Sequence, residues 1–300
     1  MMKPEHIKRK EAVEVLSKIN EELIYFEPIV DHDSFCNPSS FVNSYVLRQV
    51  NPLWPDKAEA EASAMKFADK IGLPVPKIYY YDAKYILMEK AKGTRLDKVW
   101  DELSLDEKRS YMKDMISIVE SMQKHKSGFI GSLFGEKVGK CIDFQKGPYT
   151  SFKEFFLEDY NKRVNSIKHP LKKEFAKFRK KAEEELDFEV ESVFCHSDLG
   201  LKNLFGEKGK ITCIIDWEWS GFYPWIYDFQ TLKEWCDYDL LKNSGLNKSY
   251  PTKLKDFNDL SSLAMQFAYY HEWNIKDEKK FVKELELKAK KLFQKIEEDK

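Results

Sequence analysis

His196-Ser197-Asp198-Leu199-Gly200-Leu201-Lys202-Asn203 is the stretch that decides the fold, together with Ile214-Ile215-Asp216 further along the chain. Between them the pattern predicts a strand over residues 203–205, a turn over 206–209 and a return strand over 211–215. A hairpin places its two ends side by side. The polar residues before its first strand and after its second strand are therefore expected at one cleft.

The polar residues of this hairpin have the spacing of a phosphoryl-transfer site. Asp198 can accept the proton of a hydroxyl group, Asn203 follows it by five residues and Asp216 by eighteen. This order is similar to the catalytic loop and metal-binding aspartate of protein-kinase-like enzymes. The H-x-D-x4-N pattern alone is a weak signal, so the hypothesis rests on the strand-terminal aspartate as well.

The composition excludes several other classes of protein. Of 300 residues, 42% are hydrophobic and 34% are charged, which suits one large core or two modest cores. The 50 basic and 51 acidic residues are interspersed, so we expect no nucleic-acid partner. The five cysteines are scattered without a C-x-x-C pair, which indicates free thiols. No apolar run reaches the roughly 18 residues of a membrane span, and we expect a cytoplasmic protein without a membrane partner.

Secondary-structure signals change character near residue 91. Before it, the sequence predicts a β-rich run over 41–50, a helix opened by a capping box at Asp56, and a hairpin over 78–88. After it, helical periods dominate. They include residues 171–186, 226–243, 257–274 and 277–298.

Together these features resemble the aminoglycoside phosphotransferase and choline kinase-like family over about residues 35–240. The segments that carry the resemblance are residues 194–205 and 211–224. The family fold is α+β, bilobal and protein-kinase-like. It implies a small β-rich nucleotide-binding lobe with the hinge over residues 1–91, and a large, mainly helical catalytic and acceptor-binding lobe over residues 92–300.

The resemblance implies transfer of the γ-phosphate of ATP or GTP to a hydroxyl of a small molecule. Asp198 matches the catalytic residue, which orients the hydroxyl and accepts its proton. Asn203 and Asp216 match the ligands of Mg²⁺, whose preference for oxygen suits an amide carbonyl and a carboxylate. His196 is expected to support the loop by packing and hydrogen bonding. The sequence does not choose between ATP and GTP, and it leaves the oligomeric state open.

The nucleotide-binding residues are assigned by the same resemblance. Arg48 occupies the position of the phosphate-binding lysine, and Glu61 is expected to orient it, with Glu59 as the alternative. The hinge would hold Met88, Glu89 and Ala91, with backbone groups of the last two meeting the adenine or guanine edge. Residues 37–43 stand where a glycine-rich loop would cover the phosphates, and they contain no glycine.

The acceptor is expected to be a small cationic alcohol, such as an aminoglycoside or another amino alcohol. Pro224 follows Asp216 by eight positions, which leaves no room for the long activation segment of protein kinases. Aromatic and acidic residues follow, and both attract ammonium groups. Glu218, Glu234 and Asp237 are the acids we expect to contact the acceptor.

Two other functions remain open from the sequence. A pseudokinase-like protein would bind a nucleotide or small molecule without transfer, which the missing glycines and Arg48 favour. A metal-dependent hydrolase would use His196, Asp198 and Asp216 as ligands of a transition metal.

Overall fold

The computed structural model describes residues 6–29, 37–51, 56–143, 145–248, 251–272, 275 and 277–298. It has a mixed α+β fold, with strands concentrated in the N-terminal part and helices in the C-terminal part, as predicted. None of its helices is both long enough and apolar enough to cross a membrane, as judged over the residues described.

Thirteen strands lie in the described residues. They are β1 Phe26–Ile29, β2 Ser39–Val42, β3 Tyr45–Gln49, β4 Ile78–Tyr81, β5 Tyr85–Glu89, β6 Thr94–Arg95, β7 Lys126–Ser127, β8 Gly131–Phe134, β9 Lys137–Val138, β10 Ser192–Cys195, β11 Leu204–Glu207, β12 Lys210–Ile214 and β13 Gly221–Pro224.

Ten α-helices lie in the same residues, with short 3-10 turns between some of them. The helices are α1 Arg9–Ser17, α2 Lys57–Lys70, α3 Leu96–Val99, α4 Leu105–Met122, α5 Phe152–Ser166, α6 Lys172–Glu185, α7 Ile226–Lys233, α8 Tyr238–Lys242, α9 Thr252–Tyr269 and α10 Glu278–Glu298. The predicted start of α4 is confirmed, because the Ser104 hydroxyl accepts the Glu107 N–H and the Glu107 carboxylate accepts the Ser104 N–H.

The first five strands form one antiparallel sheet in the order β1-β2-β3-β5-β4. The predicted hairpin of β4 and β5 is confirmed, and β5 lies between β4 and β3. Val42, Leu47 and Leu87 of this sheet are fully buried against Leu16 of α1. Burial on this face fixes the register of β3, and so fixes which way Arg48 points.

Two further sheets position the catalytic loop. One has the order β7-β10-β13-β8-β9, and the other has the order β12-β11-β6. The predicted hairpin is β11 and β12, whose turn falls at Lys208 and Gly209. Gly93 precedes β6 with φ +87°, and a Cβ there would lie 2.7 Å from the Gly206 carbonyl oxygen. Only glycine therefore lets the hinge segment approach the hairpin this closely.

The contacts of the chain form two compact units. One contains the described parts of residues 2–148 and 191–247, and holds all three sheets. The other contains the described parts of residues 149–190 and 248–300, and consists of α5, α6, α9 and α10. The predicted lobe division between residues 91 and 92 is not one of these boundaries and stays a prediction.

Three local predictions are wrong. Residues 226–243 are not one helix, because α7 ends at Lys233 and Asp237 caps a separate α8 by accepting the Asp239 N–H. Asp56 precedes α2 without a side-chain capping bond. Residues 39–42, which belong to the predicted phosphate loop, form β2; the β1–β2 connection spans residues 30–38, of which 30–36 lie outside the described residues.

Candidate active site

The loop after β10 is held in place by two buried side chains, those of His196 and Asp228. The His196 Nδ1 accepts the Asp198 N–H at 3.2 Å, so Nε2 carries the proton and donates it to the Ile215 carbonyl at 3.0 Å. Asp228 of α7 accepts the backbone N–H groups of His196 at 2.9 Å and Ser197 at 2.7 Å. Ser197 has φ +70°, a left-handed conformation that these bonds maintain. His196 therefore supports the loop, as predicted.

Asp198 and Asn203 are joined through the amide of Asn203. Its Nδ2 donates to the Asp198 backbone carbonyl at 2.8 Å and to the Asp198 Oδ2 at 2.9 Å. The amide nitrogen is thereby occupied, and Oδ1 of Asn203 remains for a cation. Within the described residues, Oδ1 of Asp198 accepts no hydrogen bond, so it is available to a hydroxyl group.

The hairpin brings Asp216 to the same place. The Ile215 N–H donates to the Asn203 backbone carbonyl at 2.9 Å, which closes the end of the hairpin one residue before Asp216. Asp216 then takes a left-handed conformation with φ +67°. The predicted convergence of Asp198, Asn203 and Asp216 at one hairpin end is therefore confirmed as geometry.

Arg48 is the centre of a buried ion cluster. Its Nη1 lies 2.5 Å from Glu61 Oε1, and its Nη2 lies 2.7 Å from Asp216 Oδ1 and 2.6 Å from Glu218 Oε2. Burial alone would raise the pKa of Asp216, but the guanidinium holds it below the ordinary value. Burial raises the pKa of Glu61. Glu61 is thus the partner of Arg48, whereas Glu59 is exposed.

Two residues that the sequence reasoning missed complete this cluster. Lys57 is buried at the start of α2, and its Nζ lies 2.8 Å from Glu218 Oε2 and 4.7 Å from the centre of the Trp219 ring. Asn37 donates from Nδ2 to the same Glu218 oxygen at 2.6 Å. A lysine in the first turn of a helix is unfavourable toward the helix dipole, and that signal could have indicated a buried acidic partner.

The cluster suits a magnesium ion better than a transition metal. Two cations, Arg48 and Lys57, face the acidic side chains of Glu61, Asp216 and Glu218. Asn203 Oδ1 and Asp216 Oδ2 are the hard oxygen atoms that these contacts leave open, and Mg²⁺ typically takes few protein ligands and completes its shell with water and phosphate.

A transition-metal site is not supported by the geometry. No group of three or more His, Cys, Asp and Glu side chains suited to a metal ion occurs in the part of the chain that is described. Both ring nitrogens of His196 are used in hydrogen bonds, so this histidine cannot be a ligand without breaking the loop. The hydrolase hypothesis therefore loses its first ligand.

The hinge leaves polar backbone groups for a base. The Glu89 N–H donates to the Lys77 carbonyl at 2.8 Å, so the carbonyl is the group that Glu89 can offer. Ala91 uses neither its N–H nor its carbonyl in a hydrogen bond with another described residue. Met88 is buried on β5 immediately before them. One acceptor and one donor at this edge have the polarity that a purine edge requires.

Comparison with known proteins identifies the family of the chain. The family model described as "Phosphotransferase enzyme family" matches residues 35–240. The chain belongs to this phosphotransferase enzyme family. The resemblance stated from the sequence is thereby confirmed. No curated protein sequence matched the chain.

Solved structures with the same fold include aminoglycoside phosphotransferases. The streptomycin–ATP–APH(2″)-IIa ternary complex has a TM-score of 0.66 at 17% identity, covering 96% of this chain and 99% of that chain. ADP-bound APH(2″)-Ib has a TM-score of 0.63 at 16% identity, covering 96% and 97%. The GDP and kanamycin complex of APH(2″)-IIIa has 0.61 at 14%, covering 96% and 98%. At these identities the likeness shows the fold of this phosphotransferase.

The three acids predicted to contact the acceptor have different surroundings in this phosphotransferase. Glu218 is 6% exposed and bonded to Arg48, Lys57 and Asn37, so the geometry makes it part of the buried cluster instead of an acceptor contact. Asp237 accepts Arg109 Nη2 at 2.8 Å. Glu234 is exposed at the end of α7. Contact of the last two with an acceptor stays a prediction.

Proposed function

We propose that this phosphotransferase is a Mg²⁺-dependent small-molecule kinase, which transfers the γ-phosphate of ATP or GTP to an alcohol group. The observation that supports it is the meeting of Asp198, Asn203 and Asp216 at one hairpin end, with an open oxygen on each. A protein that only binds a nucleotide would not need this combination, because it transfers no phosphate and so needs no carboxylate to accept a hydroxyl proton.

Asp198 is the base in this proposal. Its Oδ2 is fixed by Asn203, and its Oδ1 would accept the proton of the acceptor hydroxyl. The new bond forms between that hydroxyl oxygen and the γ-phosphorus, while the bond from the γ-phosphorus to the bridging oxygen breaks. Such positioned proton transfer typically contributes about 10² to 10⁴ in rate. Mg²⁺ held by Asn203 and Asp216 would neutralise charge on the nucleotide phosphates.

Arg48 is the proposed ligand of the nucleotide phosphates. Glu61 holds Nη1, so the guanidinium plane is oriented before any nucleotide binds. Its planar fork can meet two phosphate oxygens at once, which a lysine ammonium cannot do. Nη2 contacts Oδ1 of Asp216, and Oδ2 is the oxygen left for the metal, so Arg48 and the metal would share this one carboxylate. We therefore expect metal and nucleotide to bind together.

The hinge supports either purine. The Glu89 carbonyl and the Ala91 N–H offer one acceptor and one donor, and adenine and guanine edges can each satisfy such a pair. The related structures contain ATP, ADP and GDP. The nucleotide is thus ATP or GTP, with Met88 packing beside the base.

A cationic amino alcohol is the proposed acceptor class. The related enzymes hold streptomycin and kanamycin, and the chain presents Glu234 and Asp237 as candidate partners of ammonium groups. Opposite charge at a recognition surface favours encounter and register more than affinity.

The function is tested with two site variants and a surface control. Nucleotide consumption is measured with ATP and GTP against amino sugars, choline, ethanolamine, homoserine and macrolides, and nucleotide affinity is measured by calorimetry with and without Mg²⁺. We expect Asp198→Ala to stop transfer while nucleotide binding persists. Asp216→Ala should abolish the Mg²⁺-dependent part of binding. Asp187→Ala, at an exposed residue in the connection after α6, should match the wild type.

The alternatives predict different results. Nucleotide binding without turnover of any acceptor or of water would support the pseudokinase-like reading. Stabilisation by Mn²⁺ or Zn²⁺ without a nucleotide would support the hydrolase. Equal loss of nucleotide binding in Asp198→Ala and Asp216→Ala would contradict the separate roles of base and metal ligand.

A further inference from the structure

Lys202 lies in the catalytic loop between the base and the metal ligand. It belongs to the 3-10 turn Leu201–Asn203, and its side chain folds back over Gly200. A Cβ on Gly200 would lie 3.8 Å from the Lys202 Cγ and 3.9 Å from its Cε. The folded side chain brings Nζ to 3.2 Å from Asp198 Oδ2. The loop therefore places an ammonium group beside the oxygen opposite the one assigned to the hydroxyl.

Lys202 is a site cation that lies outside the buried cluster of Arg48 and Lys57. Arg48 is paired with three carboxylates and Lys57 with Glu218, and both are buried. The Lys202 side chain is 56% exposed and, among the described residues, makes one ion pair, to Asp198. An ammonium carries three N–H donors, so two of them point away from Asp198.

The Lys202 ammonium lies in the field of three carboxylates. They belong to Asp198, Asp216 and Glu218, and the first of them forms the ion pair with Nζ. The same carboxylates that would hold the hydroxyl proton and the metal thus act on this ammonium. Because Asp198 and Asp216 would flank the phosphoryl group, the ammonium beside Asp198 would lie close to that group.

We propose that Lys202 is a further catalytic residue, whose ammonium contacts the phosphoryl group as it passes from the nucleotide to the acceptor. This inference rests on the proposed function. A phosphoryl group in transit spreads negative charge over its oxygens, and a fixed cation there stabilises the transition state more than the ground state. The contact to Asp198 holds the ammonium ready, and Asn203 keeps Asp198 in place when Lys202 turns to the phosphoryl oxygens.

The test compares Lys202→Met, Lys202→Arg and Lys208→Met with the wild type. Methionine keeps the length of the side chain and removes its charge. Lys208 lies on the turn of the same hairpin, and its side chain is 90% exposed beside Glu207. Two quantities are measured with Mg²⁺ present. One is kcat with the best acceptor, or with water alone, and the other is the Kd for AMP-PNP and for ADP.

We expect Lys202→Met to lower kcat by about 10²-fold, as loss of one preorganised donor typically does. It should weaken AMP-PNP by about tenfold more than ADP, because only the triphosphate analogue reaches the ammonium. Arginine should recover part of both effects, and Lys208→Met should change neither. A merely structural role for Lys202 would not change the preference for triphosphate over diphosphate.

Different failures point to different errors. Equal weakening of AMP-PNP and ADP, or an unchanged kcat in Lys202→Met, would refute the role of Lys202 while the proposed function stands. A wild-type protein that binds neither nucleotide would refute the proposed function, and the role of Lys202 with it.

Discussion

Replacement of Asp228 by asparagine tests whether the catalytic loop is held from α7. The carboxylate is fully buried, and each of its oxygens accepts one backbone N–H of the loop, at 2.9 and 2.7 Å. Asparagine has nearly the same shape but only one oxygen. The other position becomes an NH₂ group that faces a backbone N–H, and donor then opposes donor.

The expected loss follows from these two bonds. A hydrogen bond to a charged group contributes about 1.5–3 kcal/mol, so Asp228→Asn should lower the free energy of unfolding by about that amount. Asp228→Ala leaves both N–H groups unpaired and should cost about twice as much. That is a large part of the roughly 5–15 kcal/mol that stabilises an ordinary domain, so the asparagine variant is the informative one.

Asp228→Asn should also lower kcat, and by more than its effect on stability alone would explain. Ser197 keeps its left-handed conformation only while the loop is held, and Asp198 is the next residue. A displacement of about 1 Å at a catalytic group can cost roughly 10²-fold in rate. Arg48 and the hinge do not contact Asp228, so nucleotide affinity should stay close to that of the wild type.

Urea unfolding monitored by tryptophan fluorescence gives the free energy, and calorimetry gives the nucleotide Kd. Asp239→Asn is the matched control, because its side chain is exposed at the start of α8, and it should change stability by less than about 0.5 kcal/mol. An unfolding free energy and a kcat of Asp228→Asn equal to those of the wild type would refute the reasoning. So would a loss of nucleotide affinity as large as the loss of kcat.

Two further predictions concern the N-terminal part of the chain. Gly93→Ala should lower the free energy of unfolding in urea by more than about 1 kcal/mol. Gly72→Ala is the control, because Gly72 has a similar positive φ but no atom within 4 Å of a Cβ, so it should show the backbone strain alone. Equal effects of the two substitutions would exclude a clash at Gly93. Partial burial raises the pKa of Glu11, but its contacts with Lys84 and the Lys8 N–H lower it from 4.5 to about 2. The stability that Glu11→Gln removes should therefore be fully present above pH 4.5 and decrease as the pH falls toward 2; a loss independent of pH would contradict this pairing.

The catalytic hairpin could be predicted because its signals are local. Two apolar runs separated by glycines determine β11 and β12, and a hairpin brings its own ends together without help from the rest of the chain. The helical period favours Glu61 over Glu59, because it places Glu61 beside inward-facing alanines, and Glu61 is buried against Arg48. Family, fold and this part of the site therefore follow from short-range patterns.

The sheet that contains β10 could not be predicted, because its edge strands have no period to read. β7 and β9 have two residues each, which is too few for alternation to show. Their place depends on a close approach of distant segments, since a Cβ on Gly221 would lie 2.4 Å from the Gly131 carbonyl oxygen. The break between α7 and α8 could not be predicted either. It depends on Asp237, which caps α8 and pairs with Arg109 from α4.

Glu218 shows why the residues that contact the acceptor are harder to infer than the catalytic base Asp198. In the sequence it stands between two tryptophans, a pattern that suits recognition of a cation. It does recognise cations, but they are the chain's own Arg48 and Lys57, supplied by β3 and by the start of α2. The chemistry of the residue was read correctly, and its partners were not, because they lie about 160 to 170 residues away in sequence. Removal of Glu218 would leave Lys57 buried without this carboxylate, so the residue that the sequence assigns to a substrate is required to keep Arg48 and Lys57 together in the core of the site.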